Sequence, residues 1–208
     1  MKNAEKEIPR PSIKQVEKYL RDWDKADDMQ NYYLQEKALD KLFKDFCPEN
    51  KDLSEILLKV ATLNDFYSTN IYSVNSVAKH ILSLNIDKRL NKADMTLVSN
   101  LQKVTVKEGV VKNFYSFATK YCSHHSPLEY PIYDIYVEKV LCYFRDHHEF
   151  FTFKKKDLKN YEMFKKVIVE FRKYYRLEKF DLKEIDKYLW QLGKKYFPKD
   201  YSKKSKNE

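Results

Sequence analysis

Glycine is nearly missing. The 208 residues contain 2, Gly109 and Gly193. β-Sandwiches and doubly wound sheets need glycine in tight turns and phosphate loops, so neither is expected. No glycine-rich phosphate loop can be found, which sets aside kinases and nucleotide-binding folds. Cysteine is scarce too: Cys47, Cys122 and Cys142 are odd in number and scattered. No disulfide framework is expected, and a reducing cytoplasm suits the chain. No apolar run approaches the roughly 20 residues that span a bilayer. The segment Met1 to Glu7 is charged with no apolar stretch behind it, unlike a signal peptide. The expectation is a cytoplasmic, bacterial-type protein without membrane contact, nucleoid-associated if it binds DNA.

What is present favours helices. Hydrophobic residues make up 43% and charged residues 34%. Lys, Glu, Leu and aromatics at this density pack helix on helix. The expected fold is all-α, a single domain over residues 9–198 arranged as one core or as two lobes around a cleft. A lysine-rich tail, 199–208, is expected to be disordered. The formal charge is +9, and it is unevenly placed. Residues 151–208 hold 18 Lys and Arg against 9 Asp and Glu, while residues 1–150 hold 22 of each sign. Nucleic acid is the commonest partner for such asymmetry, and a solvated helical surface is the plain alternative.

Start and stop signals divide the chain. Ser12 with Gln15 three residues on opens a helix through Trp23. A second runs from Leu34 to Phe46 and stops near Pro48. Asp52 and Glu55 start a third, a turn is expected over Asn64–Asn70, and a helix follows through Ile81 and Leu84. Asp94 caps a helix containing Leu97 and Leu101. Val104–Gly109 is the one place for an extended piece or a tight hairpin. A helix from Val110 through Tyr121 should follow, then an irregular connection set by Pro127 and Pro131. Asp134 reads as the N-cap of the next helix. Asp157–Tyr175 and a helix opened by the Asp181–Glu184 capping box complete the list.

One constellation carries chemistry. Lys120 sits late on a helix among Phe117, Ala118 and Tyr121. A lysine beside apolar groups loses hydration, its pKa falls, and a neutral amine becomes available as a nucleophile. Asp134, 14 residues on, lies at a helix N-terminus, where backbone N–H groups favour a carboxylate. Such a pair can attack a sugar anomeric carbon and stabilise the cation that develops. Taken singly, each residue has an ordinary reading: a snorkelling lysine and a capping aspartate.

The segments Phe117-Ala118-Thr119-Lys120-Tyr121 and Tyr130-Pro131-Ile132-Tyr133-Asp134 resemble the helix-hairpin-helix DNA glycosylases, most closely the 8-oxoguanine glycosylase-like proteins of archaea and bacteria. The likeness covers roughly residues 60–145 and, loosely, Leu189–Lys194. It implies a helix-hairpin-helix fold and removal of a damaged base by lysine attack at C1′, with abasic-site lyase activity. In that reading Lys120 is the nucleophile and Asp134 its carboxylate. Asn70 helps fill the gap left by the flipped base, and Tyr121 and Tyr133 contact the substrate. The partner is double-stranded DNA with the damaged base flipped out, and no metal or small-molecule cofactor is needed. Lys112, Lys154, Lys155 and Lys156 are the expected contacts to the DNA backbone. The chain departs from the family at the hairpin, where Gly109 stands alone in place of a Leu-x-Gly-x-Gly turn.

Cys122, His124 and His125, with Cys142, His147 and His148, match no common four-ligand zinc pattern. The alternative function is a non-enzymatic helical module on the same scaffold, holding nucleic acid or a protein partner.

Overall fold

A computed structural model describes residues 7–23, 25 and 29–198. The expected tail at 199–208 lies outside the described residues. Among the described residues, ten α-helices, a π-helical turn, a 3-10 turn and one two-stranded sheet make up the regular structure. The fold is therefore mostly helical, as expected, with one small sheet beside the helices.

The helices begin where the sequence offers side-chain acceptors. Ser12 accepts the Gln15 N–H at 3.3 Å and opens α1, Ile13–Asp22. Helix α2, Gln30–Asp40, continues into a π-helical turn, Lys41–Phe46, before Pro48. Asp52 caps α3, Leu53–Tyr67, through the N–H groups of Ser54 and Glu55. Helix α3 takes in residues expected to form a turn, and the bend comes only at Ser68 and Asn70. Both adopt left-handed backbone, with φ of 48 and 57°. Asn64 organises that bend: its carbonyl accepts from Thr69 Oγ1 and Ile71 N, and its amide donates to Ile71 O.

Helices α4 (Val74–Ser83), α5 (Asp87–Asn91) and α6 (Thr96–Leu101) follow. Next come β1, Lys103–Lys107, and β2, Val110–Asn113, antiparallel around Gly109 at φ 70°. The hairpin expectation holds, but β2 occupies residues assigned to a helix. Val110, Val111 and Phe114 fit a helical period, yet pairing with β1 holds this stretch extended, and α7 begins only at Tyr115.

Helix α7, Tyr115–His125, runs through the interior. Helix α8, Ile135–His148, starts at Asp134. A 3-10 turn, Lys155–Lys159, precedes α9, Tyr161–Tyr174. Asp157 turns back onto the Lys154 N–H, so α9 is capped by Asn160 and starts later than expected. Helix α10, Leu182–Tyr196, opens on the Asp181–Glu184 capping box. Helix α10 packs on α8 and α1, and α3 on α4 and α7. Gly193 lets α10 approach α8 at backbone distance: a Cβ there would sit 2.7 Å from the Tyr136 carbonyl oxygen.

A single set of buried apolar side chains, including Val16, Phe43, Val60, Phe117, Val137, Phe171 and Leu189, links these helices. Beside α7 the interior is polar. Lys59, 0% exposed, donates to the carbonyls of Cys47 and Glu49 and to Asn50 Oδ1. Asn50 in turn bonds Asp87 and accepts from the Tyr121 hydroxyl. This network fastens the segment after the π turn to α3, α5 and α7. Burial pulls Lys59 down to about 8, against the attraction of Asp87.

Candidate active site

Helix α7 is surrounded on nearly every side, so the polar residues it carries are forced inside. Lys120 is 2% exposed. Its amine donates to Ser116 Oγ at 2.5 Å, one helical turn back, and lies 5.1 Å from the centre of the Tyr67 ring. Ser116 donates onward to the Tyr133 carbonyl at 3.1 Å.

The proline-bent connection is held against α7 by specific bonds. Tyr133 N donates to Thr119 Oγ1 (3.1 Å), and the Tyr161 hydroxyl donates to the Pro131 carbonyl (3.1 Å). These contacts place Asp134 beside Lys120. One carboxylate oxygen of Asp134 accepts the Tyr136 N–H at 2.9 Å and caps α8. The other faces the Lys120 amine at 3.5 Å. Burial pushes the Lys120 amine below its ordinary value; the charges of Asp134 and Asp186 oppose that without reversing it. The arrangement therefore eases loss of the amine's proton next to a carboxylate.

Lys120 and Asp134 form part of the wall of two cavities. The first is about 460 Å³, within the size range of small-molecule sites. It lies between α2, α10 and the end of α3. Trp190 meets Trp23, Tyr32 and Tyr136 edge-on, with ring centres 5.7, 4.8 and 6.4 Å apart. Glu36 accepts from the Trp23 indole at 2.9 Å and pairs with Lys183 and Lys187. Burial raises Glu36, but the two lysines and the indole more than offset it, so its carboxyl is held low. Asp186 is 6% exposed, and among the described residues nothing hydrogen-bonds its carboxyl. Burial pushes it up to about 7, against the pull of Lys183 and Lys120 and with the help of Asp134 and Glu36. The second cavity, about 330 Å³, lies on the other side of Lys120, beneath the bend at Ser68 and the end of β2.

Of the residues expected at a site, Lys120, Asp134 and Tyr133 are together. Tyr133 is 4% exposed and lines the second cavity, with its hydroxyl on Glu138 and Lys159. Tyr121 is elsewhere. It is 0% exposed, points from the far face of α7 to Asn50 and Phe43, and is a core residue. Asn70 is exposed in the left-handed bend, outside the lining of either cavity. Lys112 is exposed on β2. Lys154, Lys155 and Lys156 are exposed around the 3-10 turn, and Lys155 pairs with the buried Glu138 at 3.1 Å. Among the described residues no group of three or more His, Cys, Asp or Glu could hold a metal ion. No helix among them is long and apolar enough to cross a membrane.

Sequence reasoning missed the wall of the first cavity. Lys183, Asp186, Lys187, Trp190 and Lys194 recur at helical spacing on α10 and all line it. The periodicity was visible, but a mostly charged stripe reads as a solvated face. Lys159, on the rim of the second cavity, was missed as well.

Residues 15–129 match the family model HI_0787_N, described as an N-terminal domain. The match takes in Lys120 and ends before Asp134. A protein of Haemophilus influenzae, titled only "Uncharacterized protein", is 51% identical over 148 residues, covering 71% of this chain and 70% of its own length. No solved structure gives a significant match.

Proposed function

The chain belongs to the HI_0787_N family, and for this member we propose a DNA glycosylase on a helix-hairpin-helix-like scaffold, removing a damaged purine of the 8-oxoguanine kind by lysine attack. One observation carries the reading: a buried amine, Lys120, faces a helix-capping carboxylate, Asp134, at the foot of an aromatic cavity.

The chemistry follows from those groups. A nucleotide swung out of the duplex, at a few kcal/mol of unstacking, presents its base to the first cavity. Trp190 and its neighbours offer stacking surfaces, and the Asp186 and Glu36 carboxyls face the base edge. The unprotonated Lys120 amine attacks C1′. The glycosidic bond breaks with its electron pair leaving on the base, which takes up a proton. Asp134 stabilises the oxocarbenium character at the sugar. Loss of the amine proton and opening of the sugar ring give a Schiff base, through which strand cleavage can follow. The basic residues of the C-terminal third neutralise phosphates without reading sequence.

Borohydride trapping on duplexes carrying 8-oxoguanine or an abasic site tests it. Wild type should form a covalent cross-link and Lys120→Gln should not. If wild type gives none, lysine chemistry is wrong. Salt-dependent DNA retention without base release would then point to the non-enzymatic module.

A further inference from the structure

The Lys120 amine has two kinds of neighbour. Three are oxygens: it donates to Ser116 Oγ at 2.5 Å and, at 3.5 Å, to the Tyr133 carbonyl and to Asp134. The fourth is the face of a ring, Tyr67, whose centre lies 5.1 Å away. Four residues line both cavities, Tyr67, Ser68, Lys120 and Asp134, and Tyr67 is the one aromatic ring among them.

Two helices hold that ring in place. Tyr67 is the last residue of α3, and the left-handed bend at Ser68 turns the chain away behind it. His124 follows Lys120 by four residues, one turn along the same face of α7. The Tyr67 hydroxyl and His124 Nε2 share a hydrogen bond at 3.0 Å. His124 is 3% exposed, and burial holds its imidazole well below the usual range, so it stays neutral. Burial pushes the Tyr67 phenol up, so it keeps its proton. The pair therefore sets a ring over Lys120 without adding a charge.

Lysine attack changes what the nitrogen needs. The neutral amine bonds C1′ with its lone pair while the glycosidic pair leaves on the base. It then sheds a proton. The recovered lone pair makes a second bond to C1′ as the C1′–O4′ bond breaks, and that pair goes to O4′, which takes up a proton. The nitrogen is now an iminium, positively charged, with a single N–H. One hydrogen cannot serve three oxygens, so the bonds to Ser116 and Tyr133 weaken just as charge appears. A ring face attracts a cation without needing an N–H.

We infer that the Tyr67 ring stabilises positive charge on the Lys120 nitrogen, above all in the Schiff-base iminium, and is a catalytic residue of the lysine chemistry. The iminium rests on the glycosylase reading; the attraction between the ring and a charged Lys120 nitrogen rests on their geometry alone.

The test replaces Tyr67 by phenylalanine carrying no, one, two or three ring fluorines, which drains the ring face of negative charge while keeping its shape. Borohydride trapping on an abasic duplex, where no base has to leave, should slow stepwise along the series, by about tenfold in all. Tyr67→Leu, which has no ring, should match the trifluoro protein. Affinity for an uncleavable tetrahydrofuran duplex should stay level throughout. NMR titration of the lysine side chains, without DNA, should show the Lys120 pKa falling along the same series by about half a unit. Trapping and titration that ignore fluorination overturn the inference. A cross-link in wild type with both readouts flat sinks the ring's role and spares the lysine chemistry. A titration that follows fluorination in a protein that never cross-links supports the contact between ring and charge and removes the glycosylase reading.

Discussion

Ser116 takes a hydrogen bond from the Lys120 amine at 2.5 Å while giving its own proton to the Tyr133 carbonyl at 3.1 Å. The serine therefore presents its lone pairs to the lysine and fixes where the amine points. Ser116→Ala should leave the amine buried but loosely aimed. On the proposed glycosylase reading, the expected result is a fall in single-turnover base release of about tenfold with little change in the DNA concentration needed for half-maximal rate. Ser116→Thr should recover most of the rate. Equal rates in wild type and the alanine variant would remove Ser116 from the site.

Asp186 makes stability depend on pH. Between about pH 4 and pH 7 the folded protein keeps a proton on Asp186 that the unfolded chain has released. Stability should therefore fall as pH rises through that window, by on the order of 4 kcal/mol for a shift of about three units. Asp186→Asn should flatten that part of the profile and melt higher than wild type above pH 7. Urea unfolding of both proteins from pH 4 to pH 8 reads the difference directly.

Trp190 contacts three other aromatic rings at the first cavity. On the proposed glycosylase reading, Trp190→Ala should weaken binding of a duplex that still carries its damaged base by about tenfold or more, since stacking on one ring is worth about 1–3 kcal/mol. A duplex with an abasic site has no base to place there and should bind the variant as well as wild type. Equal losses on both duplexes would mean that no base enters this cavity.

Lys59→Met should destabilise the protein by about 3 kcal/mol, because the carbonyls of Cys47 and Glu49 and the Asn50 side chain lose a buried donor. For a chain of this size that lowers the melting temperature by about 9 °C. Thermal melts at pH 7 provide the measurement.

The sequence disclosed different parts of this structure to different degrees. Ser12, Asp52, Asp134 and Asp181 cap the helices assigned to them because a short polar side chain has few better uses than the first free N–H groups. Lys120 and Asp134 were legible as a pair through the resemblance to the glycosylases, and the structure sets them 3.5 Å apart. The strand at Val110–Asn113 was hidden because its apolar spacing also fits a helix, and only pairing with β1 decides. Tyr121 was misplaced for a geometric reason. One residue from Lys120 is about 100° round α7, which turns the side chain off the face that Lys120 presents. The first cavity was hidden because α2 and α10 meet there from opposite ends of the chain.

Asp186, Trp190 and Gly193 are spaced four and three residues apart, along one stripe of α10. The missing side chain at Gly193 works as the pivot of a pair of calipers, with Tyr136 on one arm and Trp190 and Asp186 on the other. The gauge of the first cavity is thus set behind its wall, by a residue that could never touch a ligand. A methyl group at that pivot would change the aperture before it changed any chemistry inside.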